Sequence, residues 1–275
     1  MRRWWQAFGT GCWFALVGHA RNRLAVVLAV GFLPTWIWLL RSVAVHTPVT
    51  FVVPAAGGRL SADTSHVMQI TGALNAVTVI IGFMMFMATF KAGELDRRLV
   101  LAGFPRVPLL LAKVASLVIT SVVVGLYCTV LLCWSWPVRQ PAEMAAAVIA
   151  AGLVYGGLGI MLGSVLRGEL EGLFVVIMTS IIDLGLQNPS ANPLTDQAGL
   201  AALPLYGPMQ TSLAAGFTST VPPRYLGGAL LWFVATCTAG LALFYLRTRS
   251  YPKPPVTGDQ HLRHLLSPHA SEPAT

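Results

Sequence analysis

The chain has 275 residues, of which 55% are hydrophobic and 10% charged, with 18 basic against 10 acidic side chains and a net charge of +8. A soluble domain carries about a quarter charged residues, so this composition excludes an ordinary globular protein in water. The charges fall in short islands between long uncharged runs, and about 18 or more such residues are enough to cross a hydrocarbon layer of about 30 Å.

Trp4–Ala20 comes first. On a helical wheel Trp4, Trp5, Phe8, Cys12, Ala15 and Leu16 share one arc, while Gln6, Gly9 and Thr10 lie away from it. With arginines on both flanks, residues 1–23 are expected to hold an interfacial amphipathic helix. Charge-free runs follow at Leu24–Leu40 (17 residues), Thr64–Phe90 (27), Val114–Val138 (25), Met144–Leu166 (23) and Tyr225–Leu246 (22). Gly172–Gln187 is apolar except for Asp183 and meets Asn188-Pro189 and Asn192-Pro193, which stop a helix. Its rise of about 24 Å is short for a span, so the following loop is expected to re-enter the membrane where protein shields its backbone. The expected fold is an all-α membrane protein with six transmembrane helices over 24–250 and a re-entrant outer hairpin before the last. A disordered cytoplasmic tail is expected over 251–275, where five prolines fall.

Orientation follows from the basic residues. Six spans with a cytoplasmic N-terminus put 14 of the 18 on one side: Arg2, Arg3, Arg21, Arg23, Lys91, Arg97, Arg98, Arg106, Lys113, Arg167, Arg247, Arg249, Lys253 and Arg263. Counting Trp4–Ala20 as a seventh span leaves only 6 inside, so the positive-inside rule selects six, with both termini cytoplasmic. The basic charge is thus a topological signal. No soluble stretch is long enough to fold a nucleic-acid-binding surface.

Between the spans, Lys91–Phe104 predicts a short helix on the cytoplasmic face, with Glu94 and Arg98 at i,i+4 and Gly103 and Pro105 ending it. It reads either as a solvated juxtamembrane anchor or as a docking helix for a cytoplasmic partner. Gly152, Gly156, Gly159 and Gly163 give two small-xxx-small registers, which let helices approach closely in lipid, within one chain or between two. Asp183 is the acid deepest in a span. It reads as a substrate contact or proton carrier, or as a group stabilising the re-entrant turn close to Asn188. Met84, Met85, Phe86, Met87 and Phe90 form a soft cluster able to line a cavity, though ordinary packing explains it equally well. Cys12, Cys128, Cys133 and Cys237 sit in apolar segments and read as buried thiols. His261 and His264 form an HxxH pair in the tail, a weak metal signal.

The sequence carries no GxxxxGK[ST], HExxH or GxSxG motif, so no ATPase or hydrolase centre of those kinds is expected in this chain. The arrangement resembles the membrane subunit, or permease, of type-2 ATP-binding-cassette (ABC) exporters over about Arg2 to Arg249. Leu99-Val-Leu-Ala-Gly-Phe-Pro-Arg106 and Leu110-Leu-Leu-Ala-Lys113 look like the family's stretch opening span three. Gly159-Ile-Met-Leu-Gly163 before Arg167 is similar to its span-four ending, and Leu203-Pro204-Leu-Tyr-Gly-Pro208 to its outer hairpin.

The resemblance implies a non-enzymatic subunit in a bacterial cell membrane, without a cofactor of its own. A second permease, identical or different, would pair with it, and a dimer of ABC ATPase subunits would bind ATP beneath. Glu94, Asp96, Arg97, Arg98, Arg167, Glu169 and Glu171 would couple to that ATPase. Asp183, Met84, Met85 and Phe86 are candidates for the pathway. The cargo would be a hydrophobic or amphipathic drug, antibiotic, lipid or peptide. Two other readings stay open: a proton-coupled secondary transporter, and a non-transporting membrane anchor.

Overall fold

The computed structural model describes residues 2–189, 192 and 198–249. Four helices are long and apolar enough to cross a membrane, over Thr64–Gly93, Val107–Ser135, Pro141–Val165 and Arg224–Leu246. This is a helical, membrane-embedded protein.

In chain order the helices are α1 (Arg2–Arg21), α2 (Arg23–Val27), α3 (Leu33–Val43), α4 (Thr64–Leu101), α5 (Arg106–Ser135), α6 (Pro141–Val165), α7 (Glu169–Gln187), α8 (Tyr206–Phe217) and α9 (Arg224–Arg249). The first and fifth expected spans are helical but fall below the other four in length or apolarity. Leu28–Val43 is a shorter apolar helix, and α7 carries Glu169, Glu171 and Asp183.

A π turn, Leu28–Phe32, joins α2 to α3. Its cause is local: Pro34 has no N–H to give the Val30 carbonyl, and the ladder shifts so that Leu33 N–H donates to Leu28. The freed Val30 oxygen accepts instead from the Tyr127 hydroxyl of α5 at 3.2 Å.

α6 is the axis, touching α4, α5, α8 and α9. Its glycines decide how close those neighbours come. A Cβ at Gly159 would strike the Gly82 carbonyl oxygen of α4, and one at Gly163 would sit 2.8 Å from the Phe86 carbonyl oxygen. Gly152 faces Ile81 and Ser121, and Gly156 faces Leu117 and Ile81. Gly157 faces Thr236 of α9, whose own Gly240 lies against Met161. The partner of the small-residue registers is therefore within this chain.

One expectation needs correction. The Lys91–Phe104 segment is not a separate surface helix. α4 runs 38 residues without a break, and its last turns are that segment. The helix signal was right but its start was not: Thr89, Phe90 and Lys91 hold no Gly or Pro to end the preceding span. The stop is as expected, with Gly103 at φ +89° and the Phe104 and Gly103 N–H groups donating to Leu99 and Val100, a Schellman closure.

The helical class stands as expected, with one short strand pair added in a loop. The loop after α3 contains an antiparallel hairpin, β1 (Pro48–Val53) with β2 (Gly58–Asp63), pairing Pro48 with Asp63 and Val53 with Gly58. Its turn uses Gly57 at φ +77°. Phe51, Val53 and Ala55 are buried beneath it. Asp63 then caps α4 by accepting from the Ser65 N–H at 2.8 Å. Burial pushes this carboxyl up, but the Ser65 amide and the His46 ring hold it below its ordinary pKa.

At this hairpin end of the bundle an aromatic column ties four elements together. His66 of α4 stacks on Trp136 at 4.4 Å, Trp136 stacks on Phe217 at 5.5 Å, and Phe217 meets Phe51 edge-on at 6.4 Å. α1 packs along α5, with Gly11 against Ala112. The expected wheel holds for Trp4, Phe8, Cys12, Ala15 and Leu16, which are half-buried, and for Gln6, Gly9 and Thr10, which are exposed. Trp5 departs from it: with Trp13 and Phe14 it points outward.

Replacing Gly159 by Ala must push α4 and α6 apart, an overpacking cost of about 1–3 kcal/mol. We expect G159A to melt about 4–8 °C below the wild type in detergent, and G9A, whose Cβ meets nothing within 4 Å, to melt unchanged. Equal melting of the two variants would contradict the close packing.

Candidate functional site

Two groups of residues are brought together, one at each depth of the bundle. The first lies at the end opposite the hairpin. Lys91 of α4 and Glu169 of α7 approach to 3.8 Å, both exposed. Lys91 lies on α4 just ahead of Glu94–Arg98, the stretch expected to act with Arg167–Glu171, and was not itself among the expected residues. Arg98, Arg167 and Glu171 are also exposed. The side chains of Glu94 and Arg97 lie outside the described residues, though their backbones sit on α4.

Asp96 differs from its neighbours. It is 3% exposed and forms an ion pair with Lys113 of α5, which also lies 5.5 Å from the Phe244 ring of α9. A buried charge survives only with such a partner. Asp96 thus fastens the end of α4 to α5 and α9, and presents no charge to an outside partner.

The second group is buried between α4, α6, α7 and α8. Asp183 is 3% exposed and is purely an acceptor. The Tyr155 hydroxyl of α6 donates to it at 2.7 Å, the Leu205 N–H at 3.0 Å, and the Gln187 amide also donates to it. Leu205 is the N-cap residue of α8 and has no side-chain oxygen to cap with. The α7 carboxyl therefore supplies from outside what a capping-box Glu or Gln at N3 would supply from within, an acceptor for the N-cap N–H, at a helix whose N3 residue is Pro208. The other end of α8 is held as well: Arg139 and Gln140 N–H groups donate to the Gly216 and Ala215 carbonyls. Midway, Gln210 accepts from the Ala55 N–H at 3.3 Å. α8 is buried from Gly207 through Gly216, and these bonds let its ends sit inside protein.

Beside this cap, Asn75 and Thr78 of α4 meet Ser180 of α7, at 3.4 Å and 2.7 Å. Sequence reasoning missed Tyr155, Gln187, Asn75 and Ser180. The signal was there: Ser180, Asp183 and Gln187 fall at i, i+3 and i+7, one polar stripe on an otherwise apolar helix.

Asn75 also lines a cavity of about 390 Å³ between the π turn, α4 and α7, walled by Phe32, Val79, Phe83, Ile177 and Ile181. The expected pathway residues do not gather there. Met85 and Phe86 are buried in packing, Phe86 against Gly172, and Met84 lines a different groove beside α1. The four cysteines are free thiols. No group of His, Cys, Asp or Glu suited to a metal occurs among the described residues, and His261 and His264 lie outside them.

Comparison with protein-family models gives no match, and comparison with curated proteins gives none.

The geometry separates a capping role for Asp183 from a proton-carrying one. D183A strips the acceptor from the Tyr155 hydroxyl and the Leu205 N–H, about 1–3 kcal/mol for each buried group. We expect it to melt at least about 5 °C lower. D183N keeps one acceptor oxygen and should recover more than half of that loss, with its activity following its stability. Full stability of D183N with complete loss of activity would instead mark a proton-carrying carboxyl.

Proposed function

We propose that this chain is the permease subunit of an ABC exporter, moving a hydrophobic or amphipathic compound with energy from a separate ATPase dimer. In this reading the chain crosses a bacterial cell membrane six times, through Arg23–Val43, α4, α5, α6, α7 and α9. α1 lies along the cytoplasmic interface, α8 re-enters from the outer side, and both termini are cytoplasmic.

The observation that carries the reading is the construction of α4. One helix of 38 residues reaches past the apolar region and carries the exposed Lys91 and Arg98, with Lys91 meeting Glu169 at the α6–α7 junction. A push on the exposed charges enters a rigid rod, because α4 has no joint between them and its contacts with α6 at Gly82 and Phe86. The Asp96–Lys113 pair carries the same displacement to α5. Closure of an ATPase pair beneath the membrane would thus reach the bundle as the shift of packed helices. The 390 Å³ cavity between the π turn, α4 and α7 is of ligand size and almost wholly apolar, which suits an amphipathic cargo.

Reversing the charges at Glu94 and Arg98 tests the coupling. Tagged E94R/R98E is purified from its native membranes beside the wild type, and ATP hydrolysis that co-elutes is measured. A loss of about tenfold or more at unchanged melting temperature is expected. Unchanged co-elution and unchanged transport would overturn the coupling role.

A further inference from the structure

A second open groove, of about 240 Å³, runs between the end of α1, the π turn, α4 and α5. Its walls include Val26, Val30, Met84, Ile119 and Val123, with His19 and Thr120 as the polar lining residues. An apolar cavity of about 150 Å³ already stays dry and takes a benzene-sized ligand, so this groove has room for a length of hydrocarbon. It opens sideways: Val26, Val30 and Val123 are 42%, 60% and 61% exposed on the flank of the bundle. An occupant would therefore arrive from the surrounding lipid.

His19 gives the groove its chemistry. It is 8% exposed, and its ring makes no hydrogen bond or ion pair among the described residues. Burial holds its imidazole below the ordinary value, which favours the neutral ring with one donor and one acceptor. A buried polar group of this kind is costly unless something polar meets it. Arg21 and Arg23 follow at the α1–α2 junction, exposed and without an ion pair among the described residues. On the same helix as His19, Trp13 and Phe14 are 66% and 67% exposed, as suits side chains held at the level of lipid head groups.

We propose that this groove binds an anionic phospholipid of the surrounding bilayer, one acyl chain lying along Met84, Ile119 and Val123 and a head-group or ester oxygen meeting His19 beside Arg21 and Arg23. The site rests on membrane embedding alone and is independent of coupling to an ATPase. An acyl chain satisfies the apolar walls, an oxygen satisfies the unpaired imidazole, and the two guanidinium groups select negative charge.

The full-length protein, stripped of lipid in detergent, is titrated with phosphatidylglycerol or phosphatidylcholine of identical chains, and bound lipid is counted by native mass spectrometry. The wild type should retain phosphatidylglycerol at least fivefold better. R21Q/R23Q should bring the two lipids level, H19L should weaken both, and A29F, which fills the groove, should abolish the preferred adduct. Equal retention of both lipids by the wild type, or an unaffected adduct in A29F, would overturn the site. Should A29F fail to fold, photoactivatable phosphatidylglycerol on the unaltered protein decides. Adducts mapped to residues 16–30, 84 or 119–124 support the site, and adducts confined to residues outside the groove refute it.

Discussion

The contact on which the rest of this structure depends is the approach of α4 to α6 at Gly82, Gly159 and Gly163, where backbone meets backbone. Inside a bilayer apolar side chains gain nothing by leaving lipid for protein, so helices associate only through close packing and a few polar bonds. α6 offers a nearly continuous small-residue surface to α4, with Gly157 serving α9 and Gly152 and Gly156 admitting side chains of α4 and α5. Because α6 is enclosed by these neighbours, each of them is positioned through it. The length of α4 then gives that positioning a consequence outside the membrane, since what is fixed at Gly82 is fixed at Leu101.

Polar groups within the bundle act where the helices leave backbone unsatisfied. Pro34 frees one carbonyl and Tyr127 meets it. α8 begins inside protein, and Asp183 meets the N–H of its N-cap residue. Asp96 and Lys113 satisfy one another where α4 emerges. The three bonds converging on Asp183 occupy it as an acceptor, which favours the capping reading over that of a carrier. Among the described residues the His19 ring has no hydrogen-bonding partner within the chain, and it lines the groove beside α1.

Much of this was legible in the sequence. Charge spacing located the apolar helices because a bilayer demands about 20 residues of hydrocarbon at a stretch, and Gly103 with Pro105 announced the end of α4 correctly. The helix boundary at Lys91 was misread because charge marks the edge of a membrane and says nothing about whether a helix stops there. The hairpin over Pro48–Asp63 escaped notice since each strand is only six residues and its buried face, Phe51 and Val53, shows only against α8. The partners of Asp183 and Asp96 are set by how successive helices pack against one another, 17 to 28 residues along the chain, so the acids were visible while Tyr155, Leu205 and Lys113 as their partners were not.

The account stands most directly on which ends of the bundle share a side of the membrane. Reporter domains inserted in the full chain after Arg59, Phe104, Arg139 and Arg167, read by a probe active only in the cytosol, test this. Cytosolic signal at 104 and 167, with silence at 59 and 139, is the predicted result. Signal from the β-hairpin, or silence at the end of α4, would contradict the six-span membrane subunit.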